Sequence, residues 1–248
     1  MDKNIGKRIK ELREKFNITQ EKLAKMIGLS RPSVSQIESG KREITSTELI
    51  KISEIFEVSI DDLLNPPATE KKDISIKRGK LARFNKEVFK NVLLYILQSC
   101  GARPNIGKTV LYKLLYFCDF NYYELYEEPL TGAAYRKISF GPAPCDFDKI
   151  IEEMKKNRQL KEVTTEYHNK LQIKYLPLIE PDLNKLTAKQ KEVIDRVISQ
   201  LSSLDAKTIS NYSHDDIPWK ATKEKEIIDY ELVFYRPPSY SVRTYPEE

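Results

Sequence analysis

Apolar residues recur at helical spacing from the first turn of the chain. Ile5, Ile9, Leu12 and Phe16 follow at steps of four, three and four, which predicts one buried face on a helix from about Lys3 to Lys15. Leu23, Ala24 and Ile27 continue the pattern behind Thr19, a natural N-cap. Gly28 ends that helix where a left-handed residue costs little. Ser30 caps a second short helix. Pro32 falls in its first turn, where a missing N–H does no harm. Val34 and Ile37 turn inward, Arg31, Ser33 and Gln36 stay outside, and Gly40 stops the helix. Leu49, Ile52 and Phe56 mark a further helix over 47–57. A last turn over 59–64, capped by Ser59, ends at Asn65-Pro66-Pro67.

After the prolines the apolar pattern lapses. Lys71, Lys72, Lys77, Arg78 and Lys80 face only Glu70 and Asp73, a composition that predicts an exposed basic linker over 67–82. Helical periodicity resumes through Val88, Val92, Tyr95 and Ile96. The densest apolar stretch spans 107–126, where Leu111, Leu114, Leu115, Cys118, Phe120 and Tyr122 cover so wide a face that a central helix is expected. Tyr135 to Phe140 reads as extended, residues 141–144 as a turn, and 146–157 as a helix with Phe147, Ile150, Ile151 and Met154 inward. Residues 160–167 and 170–178 read as a hairpin turning at His168-Asn169. Thr187 caps a helix to Leu201, and Asp205 a shorter one to Tyr212. Residues 214–219 read as a loop and 230–240 as an extended aromatic tail. The expected fold is mainly α: a five-helix bundle over 1–66, then an α+β domain over 83–248, mostly helical with a small β-hairpin.

Composition narrows the chemistry. The 248 residues suffice for two domains, and 40% hydrophobic content supports real cores. A net charge of +5 is too mild to imply nucleic acid by itself. Cys100, Cys118 and Cys145 form no CxxC pair, and with His168 and His214 far apart no cluster has metal spacing. The expectation is a cytoplasmic protein with no cofactor, no metal, no catalytic residue and no membrane partner. The apolar run Val92 to Leu97 is far short of the ~20 residues a bilayer span needs.

Gln20 at the start of one short helix, Gly28 in the turn and Ile37-Glu38-Ser39-Gly40 after the next together resemble the helix-turn-helix of the XRE/Cro–repressor family. That resemblance implies a second helix lying in the major groove of operator DNA. Carried over by position, Arg31, Ser33 and Gln36 would read bases, and Gln20, Ser30, Lys41 and Arg42 would touch phosphates. Pro32 departs from the family pattern, because it packs but cannot donate. The resemblance also implies a homodimer and a pairing of Glu38 with Arg13.

The second half carries an ordered set of motifs. Lys113-Leu114-Leu115-Tyr116-Phe117-Cys118-Asp119, Glu128-Pro129-Leu130-Thr131-Gly132, Tyr135 with Phe140-Gly141-Pro142, and Ser213-His214 through Pro218-Trp219 resemble the Panacea (SocA-like) antitoxin domain. The resemblance implies an antitoxin of a type II toxin–antitoxin system, which neutralises its cognate toxin by direct binding and represses its own operon. The alternative is a phage or bacterial repressor whose second domain senses a ligand or regulates proteolysis. Tyr112, Tyr116, Tyr122, Tyr123 and Tyr126 share one helix and cannot all face inward. Each either anchors the toxin or finishes the edge of the core. His214 beside Asp215 and Asp216 shows no substrate-directed dyad. It is expected to bond backbone carbonyls, with Trp219 packed beneath the loop.

Overall fold

Thr19 and Ser30 settle the first unit by capping. In the computed structural model, which describes residues 3–56, 58, 60–64, 84–168 and 170–244, Thr19 accepts from the Lys22 N–H at 3.1 Å and Ser30 from the Ser33 N–H at 3.3 Å. These caps open α2 (Gln20–Ile27) and α3 (Arg31–Glu38), with α1 (Lys3–Lys15) before them and α4 (Ser46–Phe56) and α5 (Ile60–Leu64) after. Gly28 adopts φ +78 at the end of α2, the left-handed conformation its position predicts.

The core of this unit is the predicted one. Ile5, Ile9, Leu12 and Phe16 of the α1 face are buried with Leu23, Ile27, Val34, Ile37, Ile52 and Phe56. The rings of Phe16 and Phe56 meet at 5.3 Å. α1 packs directly on α3. Gly6 makes that approach possible, because a Cβ there would collide with the Ile37 carbonyl oxygen.

The second unit is built around α7 (Lys108–Tyr126). Thirteen of its nineteen residues are buried, more than one helical face can supply, so it is touched on several sides as its composition requires. Against it lie α6 (Lys86–Cys100), α9 (Ala188–Leu201) and α10 (Ala206–His214). Thr187 closes a full capping box with Gln190 at the head of α9, and Asp205 accepts from Thr208 N–H at 2.7 Å at the head of α10. α8 (Phe147–Lys156) buries Phe147, Ile150, Ile151 and Met154.

Two hairpins are present among the described residues. The expected one pairs β3 (Leu160–Tyr167) with β4 (Lys170–Pro177). The other corrects the sequence reading: residues 141–144 are a strand, not a turn. β1 (Tyr135–Ile138) runs antiparallel to β2 (Gly141–Pro144), with Tyr135 opposite Pro144 and Lys137 opposite Pro142. Prolines lack the donor a central strand needs, but a two-stranded ribbon tolerates them at its edge.

Two further segments differ from expectation. Residues 214–219 are not wholly a loop, since α11 (Ile217–Ala221) starts there with Pro218 in its first turn. Tyr230–Tyr235 is a 3-10 helix, not an extended tail. Asp229 caps it, accepting from Glu231 N–H at 3.1 Å, and Arg236 at its end is buried. The expected Ser59 cap, the 67–82 linker and the Asn169 half of the hairpin turn lie outside the described residues. The described residues form two compact units: α1–α5 belong to the first, and the elements from α6 onward, apart from residues 164–173, to the second.

Candidate functional site

The outer face of α3 carries the candidate reading residues. Its capping serine fixes the N-terminal turn, and Val34 and Ile37 anchor the opposite face in the core. Arg31 and Gln36 are exposed, Ser33 is half-buried, and the Ser30 and Ser33 hydroxyls share a hydrogen bond at 2.9 Å. Lys41 is exposed beyond the helix. Arg31 can fork onto guanine O6 and N7, and Gln36 onto adenine N6 and N7.

Behind this face the expected Arg13–Glu38 pair is present. Arg13 Nε donates to Glu38 Oε1 at 2.6 Å and Arg13 Nη2 to Oε2 at 3.1 Å. The Gln20 amide donates to the same carboxylate at 2.9 Å, so Glu38 ties α1, α2 and α3 together. Glu38 is buried, and its two partners satisfy a charge that burial would otherwise penalise. Arg42 is engaged within the unit, its two terminal nitrogens on Glu48 at 2.8 and 3.2 Å. That hydrogen bond raises the Arg42 pKa and lowers that of Glu48, which also accepts from Thr45 N–H at 3.0 Å. Of the four residues expected at phosphates, Ser30 and Lys41 are exposed, whereas Gln20 and Arg42 are held by carboxylates. Lys51, which no sequence signal singled out, donates to the Ile27 carbonyl at 3.1 Å and closes α2.

In the second unit the structure divides the five tyrosines of α7. Tyr116 and Tyr122 are core residues, a correction to their placement on a toxin-binding surface. The Tyr116 hydroxyl donates to Asp216 Oδ2 and the Tyr122 hydroxyl to Glu128 Oε1, both at 2.7 Å. Tyr112, Tyr123 and Tyr126 are half-buried. Tyr112 meets Phe147 edge-on at 4.8 Å, Tyr123 donates to Glu231, and Tyr126 lies 4.7 Å beneath the Lys189 ammonium.

A buried polar core runs beside α7. The Asp119 carboxylate accepts from Thr131 N–H and Thr131 Oγ1, each at 2.7 Å, and from the Tyr135 hydroxyl at 2.6 Å. Burial raises its pKa to about 6 against the pull of those donors. Arg236 donates to Asp216, Asn121 and Glu124, all buried. Sequence reasoning missed Arg236, since nothing in a local window marks one arginine of an aromatic tail as an interior charge.

His214 stacks on Trp219 with ring centroids 4.2 Å apart and planes inclined by 18°. The backbone-carbonyl role expected for it fails at Nε2, which is buried with no hydrogen-bond partner among the described residues. Lys137 Nζ sits 3.9 Å from the Trp219 ring centroid and donates to the carbonyls of Trp219 and Thr222 at 2.9 and 2.8 Å. Cys145 is exposed, yet partial desolvation of its thiol holds the pKa above the ordinary value. No group of three or more His, Cys, Asp and Glu among the described residues could hold a metal ion, and no described helix is long and apolar enough to cross a membrane.

Two family models match parts of the chain. Residues 9–63 match a helix-turn-helix family model, and residues 111–220 match the model described as "Antitoxin SocA-like, Panacea domain". An uncharacterized HTH-type transcriptional regulator of Archaeoglobus fulgidus is 43% identical over 56 residues, 23% of this chain and 79% of that protein. The cryptic phage CTXphi transcriptional repressor RstR of Vibrio cholerae is 31% identical over 37% of this chain and 83% of its own length. Antitoxin PezA of Streptococcus pneumoniae is 44% identical over 25% of this chain, which spans only 43% of PezA. The chain belongs to the helix-turn-helix transcriptional regulators and carries a SocA-like Panacea antitoxin domain behind its helix-turn-helix.

Proposed function

We propose that this protein is the antitoxin of a type II toxin–antitoxin pair. Its α7-centred unit binds and neutralises a toxin protein, and its helix-turn-helix represses the operon that encodes both. The observation that carries the reading is the joining, on one chain, of an antitoxin-family domain to a helix-turn-helix that keeps Arg31 and Gln36 exposed. Repression would use a homodimer, because paired half-sites lie about 34 Å apart along B-DNA and one α3 can occupy only one of them. The toxin contacts are assigned to the half-buried Tyr112, Tyr123 and Tyr126. A large apolar ring with a polar tip suits a protein interface, and these three keep an exposed part.

The test is co-expression of the full chain with the product of the adjacent reading frame, read by growth and by affinity pull-down. Restored growth with a stable complex supports the antitoxin reading. Absence of both toxicity and complex moves the protein to the second reading, a stand-alone repressor, which the similarity to a phage repressor favours.

A further inference from the structure

Three buried polar atoms without a hydrogen-bond partner cluster in ten residues of one segment: Ser210 Oγ, His214 Nε2 and Trp219 Nε1. A buried donor left unpaired forfeits its hydration with nothing in return, and native folds keep few of them. The indole N–H can only donate, so what it lacks is an acceptor. The setting is positive. Lys137 lies over the Trp219 ring, and Lys113, which donates to the Pro142 carbonyl at 3.4 Å, acts electrostatically on His214. Gly141 brings these pieces together, since a Cβ at that position would collide with Ser213 Oγ and Lys113.

From this arrangement we infer that the His214–Trp219 stack, flanked by Lys113 and Lys137, is a docking site for a carboxylate, supplied by an aspartate or glutamate side chain of the bound protein partner. The two rings are stacked with centroids 4.2 Å apart, and a carboxylate has lone pairs enough to accept from more than one donor. The same two ammonium groups repel a cation and favour an anion over a neutral acceptor. Burial first, then Lys113 and Lys137, hold the His214 pKa below its ordinary value against the opposing pull of Asp215. His214 is therefore a neutral imidazole near pH 7 and can donate through Nε2 without a charge of its own. Both nitrogens are buried, so the carboxylate reaches them only as neighbouring side chains move aside. The site deepens the proposed function by naming the chemistry of the partner group, and it rests on that reading.

Trp219 is the single tryptophan of the chain, which makes it a local reporter. The full-length protein is titrated with a blocked glutamate (N-acetyl-glutamyl amide), its glutamine counterpart, acetate, and sodium chloride at matched ionic strength. Tryptophan emission is followed throughout. The expected result is a saturable change with blocked glutamate and none with blocked glutamine, abolished in Lys137→Met and in His214→Phe, which keeps the stack. Those variants should also bind the co-expressed toxin about tenfold more weakly. An emission response to blocked glutamate no different from that to chloride overturns the site, and does so without touching the antitoxin reading, because no toxin is present. Tighter saturation by acetate than by blocked glutamate overturns the assignment to a protein side chain and makes the ligand a small free carboxylate. Failure of the growth rescue with a saturable glutamate response would instead overturn the antitoxin reading alone.

Discussion

Arg236 forks onto Asp216 in the interior of the second unit, Nε to Oδ1 at 2.8 Å and Nη2 to Oδ2 at 2.6 Å. Its remaining nitrogen donates to Asn121 Oδ1 and Glu124 Oε2, both at 2.8 Å. The side chains of Arg236, Asp216 and Glu124 are at most 1% exposed. Burial works against the guanidinium charge, but Asp216 above all, with Glu124, raises the Arg236 pKa. The family match ends at residue 220, so the residue that neutralises this pair of carboxylates lies outside it.

Removing Arg236 leaves two buried carboxylates without a cation. Breaking a buried pair from one side costs about 3–5 kcal/mol, far more than an exposed pair is worth. Arg236→Met should lower the urea midpoint of the second unit accordingly, and Arg236→Lys should recover part of the loss because a point charge cannot replace the fork. A midpoint equal to that of the parent protein in the Met variant would show that the tail is dispensable.

Gly6 is set by the α1–α3 crossing and not by backbone conformation. A methyl group there meets the Ile37 carbonyl oxygen, part of the backbone that also carries Glu38. Gly6→Ala should force the helices apart at a cost of about 1–3 kcal/mol, the range for overpacking a tight contact. Since α3 carries the candidate reading residues, operator affinity measured by band shift should fall with stability. Retained affinity and an unchanged melting curve would contradict the crossing.

The exposed positions of α3 and its flank should separate into two behaviours. Arg31→Ala is expected to cost about 1–3 kcal/mol on the natural operator and to relax discrimination at one base position. Lys41→Ala should weaken all sequences alike and reduce the salt slope by about one. Arg42→Ala should change the slope little, because Glu48 already engages that guanidinium. Titrations at several salt concentrations on specific and scrambled duplexes distinguish these outcomes. Equal salt slopes for the Lys41 and Arg42 variants would remove the distinction drawn between them.

What the sequence disclosed follows from the range of each interaction. Thr19, Ser30, Thr187 and Asp205 could be read as caps because a capping side chain bonds a backbone group two or three residues away. The inward face of α1 could be read because its outer side is polar. α7 offered no such contrast: with apolar residues all round, spacing could not say that Tyr116 and Tyr122 are interior while Tyr123 and Tyr126 keep an outer part. The partners of Arg236 on α7 lie 112 and 115 residues away, beyond any local pattern. Gly141-Pro142-Ala143-Pro144 carries turn residues, yet pairing with β1 and the close approach of Lys113 and Ser213 make it a strand. The orphaned nitrogens of His214 and Trp219 are likewise visible only in three dimensions.

Asp119 gives the pH prediction. Its folded pKa stands at about 6 against an ordinary 3.8, raised by burial and only partly restrained by hydrogen bonds from Tyr135 and Thr131. A carboxyl raised in the fold binds its proton more tightly folded than unfolded. Its contribution is therefore fully present below about pH 3.8 and is lost as pH rises through 6. Between pH 7.5 and pH 5 this should add about 1 kcal/mol to the stability of the second unit. His214 acts in the opposite sense: its lowered pKa stabilises the fold above its unfolded value and that contribution is lost on acidification. The measurement is accordingly a difference. Urea unfolding of the parent protein and of Asp119→Asn, which cannot titrate, is compared at both pH values. The parent should gain about 1 kcal/mol on the variant at pH 5 relative to pH 7.5. Parallel pH profiles would mean that Asp119 stays ionised throughout, held by its donors, and that burial does not dominate at this position.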